Sequence, residues 1–150
     1  MKKNRIVLII LLFSIIACQQ DTEKKEKEFL KKAFKEASID INYQWVVILP
    51  GLGCHGCIQE AEHFMTTHIM DKRILFILTK ISSLKILQQK TEVRINEHFN
   101  ILVDRNNLFD IPTDNRIYPC VIQLKDGKVF KHSFQCPQND AFNQLDRQLE

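Results

Sequence analysis

Two cysteines separated by two residues are the part of this chain with the clearest chemistry. The tetrapeptide Cys54-His55-Gly56-Cys57 follows an apolar run and a Pro-Gly break, and apolar residues return at helical spacing directly after it. The two thiols are therefore expected to straddle a strand-to-helix junction. Unpaired backbone N–H groups and the positive end of the helix dipole favour a thiolate at such a junction. The pattern predicts a reactive dithiol that cycles between thiols and a disulfide.

His55 lies between the two cysteines and is a candidate for adjusting their reactivity. A cationic or hydrogen-bonding imidazole beside Cys54 would stabilise the thiolate and make the pair more oxidising. The alternative is that His55 is only a solvent-exposed loop residue. Both interpretations remain open at the level of sequence.

The N-terminus indicates where such a pair would work. Three basic residues precede an apolar stretch over residues 6–16, which is too short to span a bilayer comfortably and has the proportions of a signal peptide. Residues 15–18 (Ile-Ile-Ala-Cys) resemble the lipobox of bacterial lipoproteins, in which cleavage leaves the cysteine as a diacylated N-terminus. This resemblance implies a signal peptide over residues 1–17 and a lipid on Cys18. The alternative is an ordinary signal peptide or a membrane anchor.

Such an anchor implies the bacterial cell envelope, on the periplasmic side, as the location of the protein, and an oxidising environment. Residues 1–17 hold three of the 21 basic residues and no acidic one, so 18 basic residues face 18 acidic ones in the rest of the chain. A net charge near zero gives no reason to expect a nucleic-acid partner. The 133 residues from Cys18 onward are the size of one domain. We expect a monomer.

The first residues after Cys18 are polar and rich in Lys and Glu. Residues 18–28 are therefore predicted to be the lipidated cysteine and a tether, although they also fit the exposed first turns of a helix. Apolar residues fall on one helical face from Phe29 onward, which places the folded domain at residues 29–150.

Strands and helices alternate along the predicted domain, which favours an α/β fold with a parallel sheet. Asp126-Gly127 between two strand-like runs predicts a hairpin that adds antiparallel strands. A capped amphipathic helix is expected at the C-terminus. Strands are predicted at Trp45–Leu49, Arg73–Leu78, Ile101–Val103, Tyr118–Leu124 and Val129–Phe134.

This order of elements resembles the thioredoxin fold, and two positions carry the resemblance. They are the dithiol at the start of a helix and Tyr118-Pro119 directly before the hairpin. The long separation between the dithiol and Pro119, together with Glu60, is similar to the TlpA/ResA-type membrane-tethered thiol-disulfide oxidoreductases. The resemblance implies a three-layer fold with a mixed central sheet and no cofactor.

The same resemblance implies the roles of the site residues. Cys54 would be the nucleophile that attacks a substrate disulfide, and Cys57 would resolve the mixed disulfide. Pro119 would be a cis proline packed against the dithiol, and Tyr118 and Pro119 would shape a groove for an extended peptide. The partners would be protein thiols and disulfides of the envelope, together with the membrane that holds the lipid anchor.

Two further cysteines follow Pro119 in the predicted hairpin region. Four cysteines remain once Cys18 is lipidated, so Cys120 and Cys136 are a possible second disulfide. A two-residue turn would place Cys120 opposite Ser133, so the pairing requires a bend after the hairpin. The alternatives are a buried free thiol at Cys120 or a third sulfur that approaches the dithiol.

Two other functions compete with redox chemistry. Residues 51–57 resemble the copper-binding loop of heavy-metal-associated domains, and two thiolates at Cys54 and Cys57 suit Cu(I). Those domains place a hairpin after the helix, where this chain has a strand followed by a predicted helix. The third possibility is a non-catalytic, thioredoxin-like binding lipoprotein.

Overall fold

The protein is built around a central five-stranded sheet. The structure is a computed structural model that describes residues 20–39 and 42–150. The predicted signal peptide and lipidated Cys18 lie outside the described residues. The strands are β1 (Trp45–Pro50), β2 (Ile74–Thr79), β3 (Ile101–Asp104), β4 (Cys120–Lys125) and β5 (Lys128–Phe134). The helices are α1 (20–36), α2 (His55–His68), α3 (Leu84–Thr91) and α4 (Ala141–Leu149), with short 3₁₀ turns at Ile95–Glu97 and Asp114–Ile117.

The strand order β3-β2-β1-β4-β5 confirms a mixed sheet with a C-terminal hairpin. β1, β2 and β3 are parallel, whereas β4 is antiparallel to both β1 and β5. β1 and β2 are buried at every position, as expected for interior strands with apolar residues throughout. Because the connections through α2 and α3 step in one direction across the sheet, both helices lie on the same face.

Two separate apolar clusters cover the two faces of the sheet. α2 and α4 meet on one face, where Phe64 stacks on Phe142 with ring centroids 4.7 Å apart. α1 covers the other face, where Phe34 meets Phe109 edge to face at 5.6 Å. The result is a three-layer α/β arrangement, which agrees with the predicted class at that level.

The helix before β1 includes residues that the sequence assigns to a tether. The chain is already helical at residue 20, and the Glu26 side chain is buried against the rest of the fold. The structure agrees with the alternative, in which these residues are the first turns of a helix, and the fold extends to the N-terminal side of the predicted boundary at Phe29. Hydrophobic periodicity misses these turns because what they bury is a carboxylate with hydrogen-bond partners.

The hairpin between β4 and β5 forms at the predicted turn but in a different register. Asp126 and Gly127 have φ of 52° and 70°, as a two-residue type I′ turn requires. The ladder then shifts between Gln123 and Leu124, because one extra residue of β5 is accommodated there. Cys120 consequently pairs with Phe134 rather than with the predicted Ser133.

Candidate functional site

The dithiol lies at the edge of the sheet where the parallel strands end. Cys54 is the N-cap residue of α2 and Cys57 lies in its first turn, with the two Cα atoms 5.3 Å apart and the sulfurs joined as a disulfide. Cys57 is buried, with 5% of its surface exposed, and Cys54 is half-buried. The predicted strand-to-helix junction is confirmed, and Cys54 is the sulfur that a partner reaches more easily.

The start of α2 provides an electrostatic setting that suits a thiolate. The helix is 14 residues long, its first turn contains no acidic residue, and its first N–H groups have no partner within the helix. His55 is exposed at the first helical position. The imidazole is thus open to solvent as well as adjacent to Cys54, and its tuning role stays a prediction.

A close backbone contact fixes the loop that carries Cys54. The Cys54 N–H donates to the Ile117 carbonyl at 3.0 Å. Gly53 has φ of +147°, and a Cβ added there would lie 2.2 Å from the same carbonyl oxygen. Only glycine permits this approach. Sequence reasoning missed Ile117, because its role is carried by a backbone carbonyl rather than by its side chain.

Pro119 follows that contact by two residues, but its peptide bond is not the predicted one. The described residues contain no cis peptide bond, so the Tyr118–Pro119 bond is trans and the expected cis proline is wrong. Tyr118 is extended and donates its N–H to the Asn115 carbonyl. Pro119 is buried immediately before β4, where the missing N–H removes no ladder hydrogen bond. Sequence alone does not specify the isomer of an X–Pro bond.

Gln135 connects the surroundings of the dithiol to the hairpin and was not predicted as a site residue. Its backbone N–H donates to the Pro119 carbonyl at 2.9 Å. Its side-chain amide donates to Glu60 on α2 at 2.7 Å and accepts from the Phe142 N–H at 3.0 Å. Gln135 therefore joins α2, α4 and the segment at Pro119.

Cys120 and Cys136 are both free thiols, so the possible second disulfide is not formed. Burial raises the pKa of Cys120 well above its ordinary value, the charge of Glu26 raises it further, and a hydrogen bond with the Ser133 backbone only partly opposes this. Cys120 belongs to the apolar cluster beneath α1, on the face of the sheet opposite α2. Of the three readings of Cys120, the structure agrees with the buried free thiol.

A buried polar cluster lies between α1 and the segment that leads to Ile117. Glu26 accepts hydrogen bonds from Thr113 at 2.6 Å, from Asn115 at 2.8 Å and from His132 Nε2 at 2.9 Å. Burial tends to raise the pKa of Glu26, but these hydrogen bonds outweigh it and hold the pKa below its ordinary value. Glu26 thus ties α1 to the loop that presents the Ile117 carbonyl.

No group of three or more His, Cys, Asp or Glu residues in 20–39 and 42–150 is arranged to hold a metal ion, so Cys120 is not a third sulfur beside the dithiol. Within the same part of the chain, no helix combines the length and apolar character needed to cross a bilayer.

No family model, curated protein or solved structure matches this chain. The trans bond before Pro119 also removes one of the two positions on which the predicted resemblance to thioredoxin rested.

Proposed function

We propose that this protein is a membrane-tethered thiol-disulfide oxidoreductase that acts on extracytoplasmic proteins through Cys54 and Cys57. The observation that carries the proposal is a bonded cysteine pair at the N-terminus of a long helix, with one sulfur more exposed than the other. That asymmetry supports the division into an attacking and a resolving cysteine. The lipobox-like residues 15–18 support attachment to a membrane of the bacterial envelope through Cys18.

The exchange is reversible and balances between the two protein partners. From the disulfide form, a client thiolate attacks Sγ of Cys54, and Cys57 leaves as a thiolate. A second client thiolate attacks the client sulfur of this mixed disulfide and releases Cys54. Two electrons pass from the client to the protein, and the two protons of the client thiols end on Cys54 and Cys57. In the reverse direction, Cys54 attacks a client disulfide and Cys57 resolves it.

The environment of the cysteines favours Cys54 as the sulfur that bonds to the client. Cys57 is shielded inside the first turn of α2, whereas Cys54 is half-exposed at the helix start. Nothing lies within 4 Å of where a Cβ of Gly56 would stand, so the helical turn between the two cysteines has an open side. Tyr118 and Pro119 follow Ile117, which contacts Cys54, and they would flank a bound client segment.

Trapping of the mixed disulfide tests this proposal. In a Cys57→Ser variant the resolving thiol is absent, so Cys54 should form a long-lived mixed disulfide with insulin that is visible by mass. Cys54→Ser should trap far less, because Cys57 is buried. Both variants should lose catalysed insulin reduction, while Cys136→Ser should retain the wild-type rate. A Cys54→Ser protein as active as the wild type would refute the proposal.

A further inference from the structure

We propose that the dithiol faces the membrane and exchanges with cysteines of another membrane-anchored protein, held close to the bilayer surface. This inference rests on the proposed function, both for the chemistry of Cys54 and Cys57 and for the lipid on Cys18. It follows from the direction in which α1 crosses the sheet.

The contacts of α1 give its direction. Glu26 bonds to His132, and the next residue, Lys27, donates from Nζ to the Phe130 carbonyl at 2.6 Å. Further along, a cavity of about 430 Å³ lies between the later turns of α1 and the hairpin turn, lined among others by Lys31, Lys35 and Lys128. α1 therefore runs toward the hairpin turn as its residue numbers increase.

The opposite end of α1 lies where the dithiol lies. Glu26 contacts Thr113 and Asn115, and the 3₁₀ turn that contains Asn115 presents the Ile117 carbonyl to Cys54. Residue 20 is six helical residues before Glu26, which places it about 9 Å farther along the axis in that direction. The described chain thus begins at the dithiol end of the sheet.

The distance from this point to the lipid is short. Only Gln19 separates Cys18 from residue 20 in the sequence, and two Cα steps of 3.8 Å reach at most about 8 Å. A lipid on Cys18 therefore anchors the domain at its dithiol end. Met70 precedes β2 at the opposite end of the sheet. The six residues of β2 separate this end from the dithiol end by about 20 Å.

The surface at the dithiol end has a composition suited to that position. Leu52 and Ile117 flank the Cys54 loop and are 66% and 40% exposed. Near the start of α1, Asp21, Glu23, Lys24 and Lys25 are all exposed, so the charges of these turns balance. Exposed apolar side chains at the anchored end suit the interfacial region of a membrane. A client fixed in the same membrane is thereby concentrated at Cys54.

Quenching of a fluorophore by lipid measures the orientation directly. The lipidated chain, with Cys54, Cys57 and Cys136 replaced by serine, would carry a label at Leu52→Cys or, as the matched control, at Met70→Cys, which is also strongly exposed. In vesicles with spin-labelled headgroups, the label at position 52 should lose most of its emission and the label at position 70 little. Equal quenching, or stronger quenching at position 70, would overturn the proposed orientation.

Exchange with designed clients separates this inference from the proposed function. One disulfide peptide is anchored with its cysteines next to the bilayer, a second carries them beyond a rigid 20-residue helix of about 30 Å, and a third is soluble. The near peptide should react about 100-fold faster than the soluble one, through effective concentration, and faster than the distant one. Equal rates for the two anchored peptides would refute the membrane-facing dithiol but leave the function intact. No exchange with any peptide would refute the function itself.

Discussion

At the scale of single residues, the position of Cys54 depends on a glycine rather than on any charged group. Gly53 combines a left-handed φ of +147° with backbone contact to Ile117, and Cys54 hydrogen-bonds to the same carbonyl. Gly56, three residues later, has open space around it. Gly53, before α2, and Gly56, in its first turn, thus provide a matched pair of positions for substitution.

We expect Gly53→Ala to lower the free energy of unfolding by about 2 kcal/mol, because it adds backbone strain and displaces the Ile117 segment. Gly56→Ala should instead raise the free energy of unfolding by up to about 1 kcal/mol, because position 56 is helical and has room for a Cβ. Urea unfolding measures both effects, and insulin reduction should fall only in the Gly53 variant. Equal stability of the two variants would contradict the contact between Gly53 and Ile117.

Glu26 is the residue whose substitution should change how the stability of the fold depends on pH. Its pKa lies below the ordinary 4.5, so the charged form stabilises the fold fully above pH 4.5, and this contribution is lost as the pH falls through the lowered pKa. Glu26→Gln should cost about 2–4 kcal/mol at pH 7, since a buried, hydrogen-bonded charge is removed. The difference from the wild type should shrink below pH 4.5.

Unfolding measured across pH for the wild type and Glu26→Gln tests this expectation. Glu28→Gln is the control, because Glu28 is exposed and its salt bridge to Lys31 lies on the surface of the same helix, where salt screens it. A stability difference for Glu26→Gln that is independent of pH would show that folding does not lower the pKa of Glu26.

At the scale of elements, the sequence was a good guide wherever a local signal decides the structure. The apolar runs at β1 and β2, the cap of the C-terminal helix, which Asp140 provides, and the turn at Asp126 are all found. Local patterns did not predict the features that depend on distant contacts. These are the burial of Glu26, the shifted hairpin register, the trans bond before Pro119 and the carbonyl of Ile117 beside Cys54.

The docking of α1 on the sheet determines where the first described residues of the chain lie. Leu30 is fully buried in the cluster beneath α1, while Lys32 on the same helix is exposed. Leu30→Ala should lower the free energy of unfolding by about 2–4 kcal/mol, because it leaves a cavity, and Lys32→Ala should change it little. Alkylation of buried Cys120 should accelerate only in the Leu30 variant. Unchanged alkylation together with unchanged stability would mean that α1 is not packed on the sheet.

At the scale of the whole molecule, the two ends of the sheet differ in character. One end carries the dithiol, the Gly53–Ile117 contact and the first described residues of the chain, and the other carries the hairpin turn and Met70. α2 and α4 pack on one face and α1 on the other, so the dithiol is supported from both sides of the sheet. The architecture fits a scaffold that presents one reactive pair at one end.

Redox titration of the wild-type protein in thiol-disulfide buffers tests whether Cys54 and Cys57 form a redox-active pair. The fraction of Cys54–Cys57 disulfide would be read from the masses of alkylated peptides, with Cys120 and Cys136 as internal references. We expect one reversible two-electron transition, in which a tenfold change in the ratio of oxidised to reduced protein corresponds to about 30 mV. A Cys54–Cys57 bond that never opens in these buffers, or never re-forms after reduction, would contradict the proposed thiol-disulfide exchange.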